Sequence, residues 1–452
     1  MGITSVSLHS IRAPASSRRR RSKSYNRRML RPESFKPSKR ESAAVLSLFA
    51  ASALARLAYI WRNYFPLRGD AGIDYQSCAL HFLANGWLDR SLTCTGHPPG
   101  WPLLLALEYK VFGVRLWVGL IGNLLLNLAG MAAAARLAWE LGGKRAAWIA
   151  LLVGAFYYDS FYWSETLMSD HAFNFLVGLG ALCLIRPEEP KRSFLGAFVL
   201  GCATWFRALT QPLWFLLPAC ALARRGWNRQ GLSQAGIFLL AFSMAVLPRV
   251  ARDSYVHRHL VTSSTFGGWQ FWASNGPASN GSSTDLSPQD PKYLVLPEWK
   301  RDKVFFHEGL LSLRKQPLSM ILKRELFKLL GTLYPFLPEY DARFAFVLPS
   351  FAFMCPFFVW AFLHRRRFRG DWTYLYLLLA NFTLIVLVFN GNPRNRTPIN
   401  WLVVAVGAAG LDALWRQSPA SRRRILGWAC ANVVVWGFSD ALRVWLKSTI
   451  HY

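Results

Sequence analysis

The sequence predicts an all-α polytopic membrane protein of about eleven transmembrane helices, with amphipathic helices lying beside the membrane in its first outer loop. Three observations lead there. The 452 residues are 53% hydrophobic and only 17% charged, where a soluble chain carries about 25% charged residues. The apolar residues fall in long runs, many of them near the roughly 20 residues that cross a bilayer, and the mean hydropathy is +0.19. The short connections between runs are basic at every second position, which is the pattern of loops facing the cytoplasm.

Taken in order, the runs occupy roughly 43–62, 112–139, 145–163, 167–185, 193–207, 211–223, 232–249, 343–363, 372–390, 400–415 and 425–446. The basic connections are "GGKR" (142–145), "RPEEPKR" (186–192), "ARRGWNRQ" (223–230), "HRRRFRG" (364–370) and "RQSPASRRR" (416–424). They share a side with the N-terminal tail, so the N-terminus is expected in the cytoplasm of a multi-pass cell-membrane protein. The tail (1–42), with "RRRRSKSYNRR", is Ser/Arg/Pro-rich and expected to be disordered. It shows no apolar core with a cleavage site.

The chain then divides into that tail, an N-terminal transmembrane module over 43–249 that includes the outer loop 63–111, a long extracytoplasmic loop over 250–342, and C-terminal transmembrane helices over 343–452. Loops beyond about 15 residues are commonly functional. "YQSCALHFLANGWL" and "GWPLLLALEYKVFG" read as short helices on the membrane surface, and so does "MILKRELFKLLGTLYPFL", with its basic residues at helical spacing. Residues 193–223 must cross twice with about 15 residues each, which sets the turn bearing Arg207 below the outer surface.

A net charge of +29 suits nucleic acid in principle, but its placement in the tail and the connections assigns it to topology and headgroup attraction, so no nucleic-acid partner is expected. Five of the seven cysteines lie in or beside apolar runs. Cys78 and Cys94 share one outer loop and form a disulfide candidate in an oxidising compartment. No Cys/His spacing resembles a zinc site.

Ionisable residues at a membrane boundary are costly and often functional. On the outer side these are Asp70, Asp74, His97, Glu165, Asp170, Arg207, Arg252, Arg394 and Arg396. The acids concentrate in the first two outer connections and the arginines at the mouths of later spans. Carboxylates opposite arginines suit a site that deprotonates a hydroxyl and binds a phosphate. Bland readings stand beside these. Asp74 fits a cap for a helix starting near Tyr75, Glu165 fits a cap for the fourth span, His97 fits a local hydrogen bond before Pro98, and Arg394 and Arg396 fit a solvated turn.

The chain resembles the polyprenyl-phosphate-sugar-dependent glycosyltransferases of the GT-C superfamily, closest to the family 39 protein mannosyltransferase and aminoarabinose transferase branches. The resemblance is carried by "GDAGIDYQSCALHFLANG" and "HPPGWPLLLALEYKVFG" in the first outer loop, "SETL" in the next turn, and then "GCATWFRAL", "LPRVARDSY", "FGGWQFW", "SNGP" and "RNRTP". Their order and spacing carry it rather than any one of them, over about residues 43–415. Departures are Ala208 for the usual Pro, Arg249 for Trp and Asp253 for Asn, the last placed to pair with Arg252.

The resemblance implies that Asp70 is the catalytic base of an inverting transfer from a polyprenyl-phosphate sugar to an extracytoplasmic acceptor hydroxyl on a glycan, lipid or protein. Arg394, Arg396, Arg207 and Arg252 would bind the donor phosphate. Asp74, Glu165 and His97 would position the acceptor or tune Asp70, with a neighbouring acid raising its pKa. No nucleotide loop is needed. Some relatives use a divalent metal, and the sequence alone supplies no ligand set for one. The competing functions are a flippase or transporter of lipid-linked sugars, disfavoured by the lack of an internal repeat, and a polytopic glycan polymerase or ligase.

Overall fold

The computed structural model describes residues 38–67, 69–276, 279, 281, 293, 295–333 and 350–438. The expected disordered tail and the end of the last span lie almost wholly outside these residues. Seventeen α-helices and no strand are found among the described residues. Four helical stretches, Lys39–Arg62, Leu116–Gly142, Arg229–His257 and Pro393–Gln417, are long and apolar enough to cross a membrane, and Asp170–Leu184, Phe351–Leu363 and Thr373–Val388 are shorter apolar helices.

α1 (Lys39–Arg62) opens with a capping box, in which Ser38 and Glu41 satisfy each other's backbone N–H groups. α2 (Ser77–Asn85) and α3 (Gly100–Phe112) are the two short helices of the first outer loop, and they pack on each other. α4 (Leu116–Gly142) turns through Gly143, at φ +87°, into α5 (Lys144–Ala155). The third expected span, 145–163, is therefore not one helix. The chain leaves the helix after 12 residues, and buried Arg56 of α1 donates to the carbonyls of Gly154 and Ala155 left at its end. α6 (Tyr158–Tyr162) and a 3₁₀ turn over Trp163–Glu165 follow.

α7 (Asp170–Leu184), α8 (Pro190–Ala203), α9 (Leu213–Arg225) and α10 (Arg229–His257) complete the first module. α8 packs between α7 and α10. α10 extends eight residues beyond the expected 232–249 span to His257, so "LPRVARDSY" lies on a helix, with Arg249, Arg252 and Asp253 buried. α11 (Gly267–Asn275), α12 (Glu298–Lys315) and α13 (Leu318–Leu333) belong to the long loop. α14 (Phe351–Leu363), α15 (Thr373–Val388), α16 (Asn400–Gln417) and α17 (Pro419–Gly437) form the last module.

α16 is the central post. It packs on α4, α5, α7 and α14, and every residue from Asn400 to Gly410 is buried. Its Trp401 fits against Gly130 of α4, where an added Cβ would lie 2.0 Å from the indole nitrogen.

α13 is amphipathic, with two of its helically spaced basic residues on the inward face. Arg324 and Lys328 point into the protein, where Lys328 donates to Asn275 Oδ1 at 2.8 Å and Leu387 O at 2.6 Å. The outward face carries Leu318, Leu322, Leu326 and Leu330, all exposed. Such a stripe is suited to the apolar side of a membrane surface.

The basic connections gather at one end of the helices, as expected from their alternation. Lys144 pairs with Glu41, Arg145 with Asp412 at 3.4 Å, Arg186 and Arg192 with Glu140, and Arg224 with Asp371. The first outer loop sits at the other end. Leu167 donates its N–H to Pro66 O and Gly100 donates to Trp205 O, while Trp101 Nε1 donates to Leu167 O at 2.7 Å.

Candidate active site

Asp70 stands at the entrance of a six-residue π turn, Ala71–Gln76, that leads into α2. Gly72 closes this turn tightly, since a Cβ there would sit 2.6 Å from Leu67 O. Neither Asp70 nor any other side chain caps the turn. Asp74 lies inside it, one turn on, so the cap role does not hold for Asp74. Its neighbour is His97, with Nε2 3.3 Å from the Asp74 carboxylate and 4.0 Å from that of Asp70. His97 is held between the rings of Tyr75 and Phe266, at 5.3 Å from each.

The loop bearing His97 is fixed by the Cys78–Cys94 disulfide, with Cα atoms 5.8 Å apart, as expected from their shared loop. Beside it, Thr95 Oγ1 donates to Glu298 Oε2 at 2.9 Å and lies 2.6 Å from His257 Nε2. Thr265 donates its N–H to Thr95 O. The first outer loop is thus joined to α10 and to the long loop.

Arg394 comes from the late turn "NPRNRTPI", a 3₁₀ stretch over Pro393–Ile399 that Asn392 caps through Asn395 N–H. Its Nη1 donates to Asp70 at 3.1 Å and its Nη2 to Asp170 at 3.2 Å. Its guanidinium also lies over Trp163, 5.0 Å from the ring centroid. Asp170, at the first turn of α7, is buried and also accepts from Arg207 at 2.7 Å and from Thr397 at 3.0 Å. It is the hub that fixes both arginines. The sequence placed Asp170 among the outer acids without giving it this part.

Two of the four expected phosphate arginines do not reach the site. Arg396 is buried and donates to Asp159 at 2.8 Å, beneath the Phe351 ring. Arg252 is buried against Asp253 at 3.0 Å and donates to Trp87 O. Both serve packing between elements, and the Arg252–Asp253 pair is the one the sequence suggested. Glu165 is buried in the turn before α7. It sits five residues ahead of Asp170, with Ser169 between them as the N-cap residue, so it does not cap that helix either.

Asp70, His97, Arg207 and Arg394 line one cavity of about 620 Å³. Its apolar lining includes Phe206, Phe215, Phe382, Ile385 and Phe389. Trp269, from the aromatic run of the long loop, lines it too. The polar side chains Gln211, Gln270, Asn390 and Asn392 complete the lining.

Burial raises the pKa of Asp70, but the charges of Arg394, His97 and Arg207 outweigh it, and the carboxyl is held below the ordinary value. This corrects the expectation that a neighbouring acid would raise it. The nearest group is a cation in hydrogen-bond contact, and Asp170 faces the same cation. Tyr75 is pushed up to about 12, chiefly by burial and then by the Asp70 charge, so its hydroxyl stays protonated beside Ser169.

Asp70, Asp74 and His97 each offer one ligand atom, all within 4.8 Å of one another. Two carboxylates and an imidazole are a reasonable donor set for a divalent cation, although Arg394 already compensates Asp70 from the other side.

No protein-family model and no curated protein matches the chain. Among solved structures it is similar to ArnT from Cupriavidus metallidurans bound to undecaprenyl phosphate, at 14% identity and a TM-score of 0.41 over 82% of this chain and 78% of that one. It is also similar to the Archaeoglobus fulgidus oligosaccharyltransferase tethered with an acceptor peptide containing the NVT sequon, at 14% identity and a TM-score of 0.46. There, 88% of this chain is covered, and the chain spans about half (55%) of the length of that protein.

Proposed function

We propose that this protein is an integral membrane glycosyltransferase that moves a monosaccharide from a polyprenyl-phosphate donor to an acceptor hydroxyl. The observation that carries this is the composition of the 620 Å³ cavity, whose lining combines a carboxylate and two arginines with aromatic and aliphatic side chains. A lipid-linked sugar phosphate has parts to match: an apolar chain, a phosphate and a sugar.

Donor binding would set Arg394 and Arg207 against the phosphate, in the bidentate manner that suits guanidinium. Asp170 keeps both arginines in place. Each contact of Arg394 with phosphate weakens its hold on Asp70, so Asp70 becomes a stronger base when the donor arrives. Asp70 then accepts the proton of the acceptor hydroxyl. The hydroxyl oxygen bonds to the anomeric carbon, the bond from that carbon to the phosphate oxygen breaks, and the electron pair leaves with polyprenyl phosphate. Attack opposite the leaving group inverts the configuration. Should a divalent ion occupy Asp70, Asp74 and His97, it would add electrostatic stabilisation at the same end of the cavity.

The test is transfer by the purified protein from labelled polyprenyl-phosphate sugars, with mass spectrometry of lipid-linked sugars in cells that lack it. Transfer, and accumulation of one unused donor, is the expected result. Donor accumulation that Asp70→Asn fully reverses would sink the assignment of Asp70.

A further inference from the structure

A second cavity, of about 710 Å³, opens at the opposite end of the helices. α7 runs from Asp170, which holds Arg207 and Arg394 of the first cavity, to Leu184, just before Ile185 and Arg186 of the second, and α15 runs from Val386 at the first to Thr373 at the second. On α15 the nearest lining residues of the two, Tyr376 and Phe382, lie about 9 Å of helix apart.

Five arginines line the second cavity: Arg186, Arg224, Arg365, Arg366 and Arg369. Three carboxylates also line it, and two of these are already engaged. Glu140 is buried and accepts from Arg136 at 2.8 Å and from Arg186, with Arg192 at 3.8 Å. Asp371 pairs with Arg224 and accepts from Thr373 N–H. Glu188, the third, is exposed at the rim. Arg366 and Arg369 make no ion pair and no side-chain hydrogen bond among the described residues, and Arg365 is held only over the Tyr376 ring, 5.0 Å from its centroid.

The cationic turn is held in place by its backbone. Arg369 donates its N–H to Leu141 O at 3.1 Å, and Asp371 donates to Ile185 O at 2.8 Å. Gly370 adopts φ +81°, and a Cβ there would lie 2.5 Å from Ile185. The turn is thus pinned to the ends of α4 and α7, so the arginines are gathered before any ligand comes. Phe368 and Trp372 line the same cavity, as aromatic residues do at a membrane–water boundary.

We propose that this cavity is a binding site for a phosphate-bearing anion, separate from the transfer site. Arginine forks match phosphate oxygens, and a basic pocket between membrane helices at the aqueous boundary suits an anionic headgroup. The same chemistry would take a soluble phosphate compound.

The experiment uses the full-length protein in vesicles containing phosphatidylglycerol and phosphatidylcholine. Lipid retained after mild detergent extraction is counted by native mass spectrometry, and pyrophosphate binding is measured in parallel by calorimetry. Wild type should retain phosphatidylglycerol several-fold over phosphatidylcholine, and the R366Q/R369Q double variant should lose at least about tenfold in that retention or in pyrophosphate affinity, from two charge-assisted contacts. Retained phosphatidylglycerol identifies the headgroup as the ligand, and pyrophosphate binding without lipid preference identifies the soluble source. Equal behaviour of wild type and variant in both measurements overturns the proposal. The exposed single variant R366Q serves if the double variant does not melt like wild type. Neither readout needs sugar transfer, so the result stands apart from the function of the first cavity.

Discussion

Arg394 Nη1 meets the Asp70 carboxylate at 3.1 Å across 324 residues of sequence. That contact joins the first outer loop to the last turn before the central post, and it lowers the pKa of Asp70; in the proposed function it also marks where the donor phosphate binds.

Asp70→Asn keeps the shape of the side chain and removes the proposed base. Transfer should fall by about 10²–10⁴-fold, with the melting curve close to that of wild type. A variant that retains full activity would remove Asp70 from the chemistry.

Arg394→Gln removes the largest influence that lowers Asp70, so burial prevails and its pKa rises. The acid limb of the rate–pH profile should move to higher pH, and donor KM should increase. The sign for stability follows. In wild type the folded pKa lies below the unfolded value of about 4, so the contact stabilises the fold above that pH and is lost as pH falls through the folded value. A stability–pH curve below about pH 5 should be steeper in wild type than in the variant. Identical profiles would count against the ion pair.

Asp170→Asn leaves Arg207 and Arg394 without their buried counter-charge. Breaking such a pair costs about 3 kcal/mol. Both stability and transfer should drop, whereas Asp70→Asn should affect transfer chiefly. Thermal melting of the two variants side by side separates the hub from the base.

Reduction of Cys78–Cys94, or its replacement by serines, frees the loop that carries Thr95 and His97. Closing a loop of this size is worth about 3 kcal/mol in the chain-entropy model. Melting with and without reductant should show the loss in wild type and none in the Cys78→Ser/Cys94→Ser variant.

Glu108 on α3 is half-buried, and burial pushes its carboxyl up to about 7 from an ordinary 4.5. The folded chain therefore holds this proton when the unfolded chain has lost it, and the contribution to stability falls as pH rises between those two values. Glu108→Gln should flatten that slope and be the more stable protein above pH 7 or so. A slope unchanged by the substitution would show that Glu108 does not titrate there.

The sequence was informative where a residue's cost is visible without its neighbours. Charged residues at the ends of apolar runs stand out, so Asp70, Arg207, Arg394 and Asp170 were all in view. The Cys78–Cys94 pair was visible because two cysteines fell in one outer loop. Pairings were not visible. Arg394 and Arg396 are two residues apart, yet one faces the cavity and the other is buried against Asp159, because the 3₁₀ turn points them in different directions. Asp159 sits in an aromatic run with no local mark of its partner. The break after Ala155 was hidden too, since the group that satisfies its carbonyl is Arg56, about a hundred residues earlier in the sequence. On α13, helical spacing marked the basic residues correctly, but periodicity alone does not say which face turns inward.

The separation of Asp70 from Arg394 also bears on how the protein is made. A chain emerging from the ribosome presents Asp70, Asp74 and His97 early, and each can reach its final loop once α3 has been synthesised. Arg394, the cation in hydrogen-bond contact with Asp70, arrives only with the turn ahead of the penultimate described helix. At the usual pace of about 5–20 residues per second, those acids wait tens of seconds without it. Over that interval the half-built protein has its carboxylates and Arg207 but not the arginine that bridges Asp70 and Asp170, so the complete charged cluster is acquired late, close to the end of translation.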